Sequence, residues 1–273
     1  MQYLSFTWNP SEGIDLGFFL VRYYSLMFVI AFTLGWFITK RIFNNENIPI
    51  EKLDSLFIYM VIGILAGARL GHVLFYQSEL ILQDPISVFL PFRTVPDFEY
   101  TGFQGLASHG AAIGAIIAMY FYSKKISKKP ILWILDRVVI AVASGAIFVR
   151  IGNFINSEII GKATNSDFGV IFKQLGEDFP RHPAQLYESF GYVFVFLILW
   201  YIYWKTDKKD QRGFLFGTFF ILLFTVRFFV EFVKEAQVDE RADWTLNTGQ
   251  LLSIPLILLG IYFIITSSKK QTT

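Results

Sequence analysis

Seven stretches of the chain, near 16–38, 54–76, 104–123, 131–149, 183–204, 213–233 and 248–267, are apolar over close to the roughly 20 residues that a helix needs to cross a bilayer. The pattern predicts an all-α, polytopic membrane protein with seven transmembrane helices. Basic residues mark every second connection: Lys40, Arg41 and Lys52, then Lys124, Lys125, Lys128 and Lys129, then Lys205, Lys208, Lys209 and Arg212, and finally Lys269 and Lys270. Positive charge is retained on the cytoplasmic side, so the expected topology has the N-terminus outside and the C-terminus cytoplasmic. The segments 77–103, 150–182 and 234–247 then face outward. The first two are expected to be structured, with Pro85, Pro91 and Pro96 interrupting the 77–103 segment. No internal repeat or linker divides the chain, which reads as one transmembrane domain, 1–273.

Composition adds exclusions. At 54% hydrophobic and 18% aromatic residues, the chain is too apolar for an ordinary soluble domain. A net charge of +2, dispersed in short clusters, gives no basic face for nucleic acid. Cysteine is absent, which removes disulfides, thiolate-metal sites, thiol nucleophiles and lipidation of the chain's own cysteines. Glu12 and Asp15 precede the first apolar run and no Lys or Arg does, a pattern unlike that of a cleaved signal peptide. Small residues four apart, Gly63/Gly67/Gly71, Gly110/Gly114 and Gly213/Gly217, are expected to let helix backbones approach.

Polar residues within the apolar runs have a depth once each run has a direction. The fourth span runs outward and delivers Arg150, Asn153, Asn156 and Glu158 to its outer end. Arg227 lies about 14 residues into the sixth span, roughly 21 Å up a core of about 30 Å. Arg69 falls at a similar height on the second span, while Arg22, Tyr24, His109, Gln185, Tyr187 and Glu188 open the inward-running first, third and fifth. Ions held in an apolar setting call for a polar ligand or a reaction to serve.

Plainer roles compete at each position. Arg22 either snorkels to the interface or meets a ligand. Arg69 either pairs with a carboxylate or contacts the ligand directly. Arg227 and Glu231, four apart on one helix face, could simply neutralise each other. Asp136 and Arg137 read as an inner structural pair, His182 before Pro183 as an interfacial cap, and Phe18, Phe19, Tyr23 and Tyr24 as an interface belt.

Several of these residues fall in ordered motifs. His109-Gly110-Ala111-Ala112-Ile113-Gly114, Arg150-Ile151-Gly152-Asn153-Phe154-Ile155-Asn156-Ser157-Glu158 with Gly161, Arg181-His182-Pro183-Ala184-Gln185-Leu186-Tyr187-Glu188 and Arg227-Phe228-Phe229-Val230-Glu231 resemble the motifs of the prolipoprotein diacylglyceryl transferase family. Arg22-Tyr23-Tyr24, Gly67-Ala68-Arg69-Leu70-Gly71 and Gly249-Gln250 continue the resemblance in order over nearly the whole chain. Three positions depart from it: Ala111 stands where many members have Gly, Leu223 where many have Tyr, and His72 where Tyr is common. No charged residue is lost.

The resemblance implies a bacterial plasma (inner) membrane enzyme with its active site toward the outer leaflet. Its implied reaction moves the diacylglyceryl group of phosphatidylglycerol to the lipobox cysteine of preprolipoprotein signal peptides and releases glycerol-1-phosphate. Such a site must stabilise a departing phosphate and ionise a thiol with a free pKa of about 8.5. Arg150 and Arg227 are the candidate phosphate clamp and His109 the candidate base, with a lowering of the thiol pKa by the arginines as the alternative. Tyr24, Arg69, Asn153, Asn156, Glu158, Gly161, Gln185, Tyr187, Glu188 and Glu231 are the expected substrate-binding set, Glu158 and Glu231 orienting the guanidinium groups. No metal or cofactor is expected, because no metal-ligating or nucleotide-binding motif is visible. The expected partners are phosphatidylglycerol, membrane lipid and the lipobox peptide. A transporter with an arginine anion site is the rival, and it calls for an inner polar set that the chain lacks. A retinal-type protein is disfavoured because 248–267 contains no Lys.

Overall fold

The computed structural model is mostly helical and describes residues 5–17, 20–90, 92–100, 105–164, 166–235 and 246–269. Phe18, Phe19, Pro91 and most of the 234–247 segment lie outside the described residues. The helices are α1 (Tyr23–Asn45), α2 (Ile50–Tyr76), the short α3 (Leu80–Gln83) and α4 (Pro85–Phe89), α5 (Ser108–Tyr122), α6 (Ile131–Ile155), α7 (Ala184–Lys205), α8 (Phe214–Val230) and α9 (Thr248–Ile265). Five of them, α1, α2, α6, α7 and α9, are long and apolar enough to cross a membrane. The apolar α8 and α5 are shorter, with 17 and 15 residues. Large apolar side chains such as Ile62, Phe75, Ile116, Phe190 and Leu258 are exposed along these helices, as lipid-facing surfaces require.

Two compact units form, residues 43–134 and residues 1–42 with 135–273. In the first, α2 and α5 pack backbone to backbone. A Cβ added to Gly67 would overlap the Gly110 carbonyl, and one added to Gly71 would come within 2.8 Å of Gly110 Cα. Close approach replaces the hydrophobic drive that lipid cannot supply. The 77–103 segment carries α3, α4 and the ribbon of β4 (Phe92–Arg93) with β5 (Glu99–Tyr100). Asp84 organises it by accepting from Ser87 N at the start of α4 and from Thr94 N (2.7 Å) and Thr94 Oγ1 (2.5 Å). Those bonds, the Thr94 hydroxyl first, hold its carboxyl below the usual aspartate range.

In the larger unit, β1 (Ser5–Trp8) pairs in parallel with β6 (Gly169–Phe172), tying the N-terminal segment to 150–182. Trp8 stacks on Phe154 with ring centroids 4.7 Å apart and donates to its carbonyl, over a small core of Phe154, Val170 and Phe172. The antiparallel pairs β2 (Gly13–Asp15) with β3 (Leu20–Arg22), and β7 (Gln211–Arg212) with β8 (Ser268–Lys269), complete the strands.

Three local expectations change. The first helix begins at Tyr23, seven residues later than position 16, because β2 and β3 engage the main-chain groups that a helix would need. The fourth span continues to Ile155, so Arg150 and Asn153 lie on the helix itself. Gly213 serves as the left-handed N-cap of α8 (φ 89°), while Gly217 makes the close helix contact, against Gly260. Asp136 accepts from Gly213 N (2.7 Å) and Phe216 N (2.9 Å), covering two orphan amides at the start of α8.

Candidate functional site

The end of α6 supplies the first part of the site. Arg150 and Asn153 are three apart and share a face, and Arg150 Nη1 donates to Asn153 Oδ1 at 3.2 Å. Beyond the helix the chain turns through Ser157 (φ 53°) and Ile159 (φ 58°). A β-branched residue at positive φ carries backbone strain of about 1–3 kcal/mol. The turn returns Glu158 to the helix, where Asn153 Nδ2 donates to Glu158 Oε1 at 2.6 Å. Tyr24 of α1 interacts with Asn153 and Glu158 and lies over Gly152, whose absent side chain makes room for the ring.

The second part comes from α7. Gln185 and Glu188 are fully buried in its first turns. Gln185 Nε2 donates to the Glu158 carbonyl (2.7 Å), and its Oε1 is buried without a hydrogen-bond partner among the described residues. Glu188 Oε2 lies 2.8 Å from Arg150 Nε, an ion pair whose N–H is not aligned for a hydrogen bond. Tyr187 OH is 3.3 Å from His182 Nδ1.

The end of α8 supplies the third. Arg227 Nε is 3.6 Å from Glu231 Oε1, and the arginine side chain stays one-third exposed (33%) against 15% for Arg150. Glu231 lies against Gly249 in the first turn of α9, where a Cβ would collide with its carboxylate and where the helix dipole favours an anion. Lys234 joins the parts, its Nζ 2.9 Å from Glu231 Oε1 and 3.4 Å from Glu188 Oε1. The result is a connected series Glu158–Asn153–Arg150–Glu188–Lys234–Glu231–Arg227, in which three cations meet three carboxylates.

A short ladder fixes these parts. Gly161 N bonds to the His182 carbonyl, Lys162 N to that of Val233 (2.8 Å), and Glu235 N to that of Ile160 (3.1 Å). Gly161 lies between two other chain segments, and a Cβ there would meet the carbonyls of His182 and Val233. Close backbone approach thus accounts for a glycine at this position, which was expected among the substrate contacts. Arg181 closes the ladder through Glu177, Glu235 and the Gly161 carbonyl (3.1 Å). Hydrogen bonding to Glu177 is the largest influence raising its pKa above the ordinary arginine value.

Other expected residues are not members of this series. Asn156 is exposed and, with Glu12, Arg22, Ile155 and Gln174, lines a separate polar recess of about 420 Å³. Arg22 pairs there loosely with Glu12 (3.9 Å). Arg69 and His109 belong to the 43–134 unit. Arg69 donates to the carbonyls of Ser87 (2.7 Å) and Val88 (3.1 Å) near the end of α4, so it braces the 77–103 segment. His109 is exposed in the first turn of α5. The principal partner of Arg150 is Glu188, and Glu158 reaches it through Asn153. Lys234, and Tyr192 beside Arg150, are not among the residues expected from sequence. The available signal for Lys234 was its spacing, three residues after Glu231.

Comparison with known proteins places the chain in a family. The profile of the prolipoprotein diacylglyceryl transferase family matches residues 12–266. A Bacteroides fragilis protein named phosphatidylglycerol–prolipoprotein diacylglyceryl transferase is 40% identical over 272 residues, covering 98% of each chain. Proteins of the same name from Tolumonas auensis and Chloroherpeton thalassium are each 38% identical, covering 97% and 96% of this chain and 98% and 94% of their own. With the match extending from the N-terminal segment through α9, the chain belongs to the prolipoprotein diacylglyceryl transferase family.

Proposed function

We propose that the chain transfers the diacylglyceryl group of phosphatidylglycerol to the lipobox cysteine thiol of a preprolipoprotein. The observation that carries this reading is the pair of guanidinium groups from α6 and α8, anchored by Glu188 and Glu231 in one connected network. In the reaction the sulfur attacks the glycerol carbon that bears the phosphate. A C–S bond forms, the C–O bond breaks, and its electron pair leaves on glycerol-1-phosphate. The phosphate goes from one negative charge to two, so donors aimed at it gain strength in the transition state. Arg150 and Arg227 are the clamp, and the carboxylates orient them. The lipid's own ester supplies the activation, with no metal or cofactor in the scheme.

Three cations and three carboxylates leave the network without net charge, so it offers little electrostatic help in ionising a thiol. That balance favours a proton acceptor, and His109 is the candidate by its chemistry. The expected result with His109→Gln is a loss near neutral pH of about 100-fold. The deficit should shrink as pH rises past the thiol pKa, where hydroxide ionises the substrate unaided. The assay follows thioether formation on a lipobox peptide with phosphatidylglycerol, using a Cys→Ser peptide as control. A deficit parallel to the parent at every pH removes the base role, and absence of thioether from the parent removes the whole reading.

The proposed topology has seven spans, α5 and α8 included, in one catalytic domain with the N-terminus outside, the C-terminus cytoplasmic and the site toward the outer leaflet of the inner membrane. The charge of the connecting segments supports it. Because the chain has no cysteine, exposed Lys124 and Lys173 can be replaced singly by Cys. In intact spheroplasts an impermeant thiol reagent should label Lys173→Cys and spare Lys124→Cys. The reverse pattern inverts the topology.

A further inference from the structure

We propose that Lys234 is a positioning residue for diacylglyceryl transfer: its ammonium bridges Glu188 and Glu231 and offsets their charge, so that each holds its own arginine. The inference rests on the transfer reading above. Lys234 itself is sealed from any substrate, with 3% of its side chain exposed, and acts through its neighbours. Its carboxylate partners are equally enclosed, Glu188 at 0% and Glu231 at 8%. Two buried carboxylates with no cation between them repel each other. That repulsion would draw Glu188 or Glu231 away from its ion pair with Arg150 or Arg227.

The charge count sharpens the point. With Lys234 the network has three cations, Arg150, Arg227 and Lys234, against Glu158, Glu188 and Glu231. Without it, two cations face three carboxylates, and the excess negative charge opposes a phosphate that is itself gaining charge. The backbone holds the ammonium in place. Lys234 forms a bridge with Gly161, and the residues on either side bond to the same segment through Lys162 N to Val233 O (2.8 Å) and Glu235 N to Ile160 O (3.1 Å). The lysine's position is thus set by the ladder that also sets Glu158.

The test compares Lys234→Met, Lys234→Gln and Lys234→Arg, purified in detergent and assayed for thioether formation. Lys234→Met should lose about 100-fold in kcat while KM for phosphatidylglycerol rises less than about fivefold, because the opposing charge develops mainly in the transition state. Lys234→Gln, which keeps a hydrogen-bond donor and loses the charge, should lose as much. Lys234→Arg, which keeps the charge, should stay within about tenfold of the parent. A merely structural lysine predicts no such split between the neutral and the charged variants. If Lys234→Met does not fold, Lys234→Gln carries the comparison. Parental turnover in Lys234→Met or Lys234→Gln, or Lys234→Arg no better than Lys234→Gln, overturns the proposal. A parent that makes no thioether defeats the transfer reading itself, a different result from an active parent with an unaffected Lys234→Met.

Discussion

Arg227→Ala is expected to lose roughly 100- to 1,000-fold in kcat while remaining folded and membrane-inserted. Its side chain is one-third exposed and its ion pair with Glu231 is long at 3.6 Å, so little native stability depends on it. Its donors remain available to a ligand, and their removal should appear in turnover. Arg150→Ala should lose turnover as severely and stability as well. Arg150 is 15% exposed against a fully buried Glu188, and breaking such a pair from one side costs about 3–5 kcal/mol. Thermal unfolding in detergent, measured beside kcat, separates the two variants. Lysine should rescue either position poorly, since it keeps the charge and loses the planar fork that meets two phosphate oxygens at once. Near-parental turnover in either alanine variant would remove that arginine from the clamp.

Gly161→Ala should reduce turnover by at least about 100-fold, because one methyl group opens the ladder on which Glu158, Lys234 and the start of α7 depend. The added Cβ would lie 2.8 Å from the Val233 carbonyl oxygen and closer still to that of His182. Both obstacles are main chain and already engaged, accepting from Lys162 N and Gly161 N, so neither can rotate aside as a side-chain tip would. The natural control is Gly145→Ala in α6. Among the described residues the new methyl there meets only the Ala31 Cβ, at an ordinary 3.5 Å, and the helix gains by about 0.5–1 kcal/mol. The control should keep parental turnover with an equal or higher unfolding temperature. A Gly161→Ala enzyme as active as the control would show that the ladder tolerates opening.

Much of the architecture was written in the run lengths. An apolar stretch that ends at charged residues has few options other than a helix, since main-chain polar groups in lipid must bond within their own segment. The helix ends are less legible. Tyr23 opens α1 because Gly13–Asp15 and Leu20–Arg22 pair with each other, and Asp136 caps α8 from a position 77 residues away from Gly213. Neither is a property of a local window.

What the sequence determined by itself was the helical class, the family motifs and most members of the polar cluster, because hydrophobic length and the presence of ions among apolar residues are local facts. Only the tertiary structure decided the partnerships: Glu188 on Arg150, Lys234 between two carboxylates, Arg69 on the Ser87 and Val88 carbonyls, and Gly161 as a spacer between main chains. Helices apolar on every side carry no periodic stripe to say which face turns inward. Which charge meets which is therefore set by how closely the backbones pack and where the turns after α6 and α8 return the chain, and an ion pair at 3 Å depends on both.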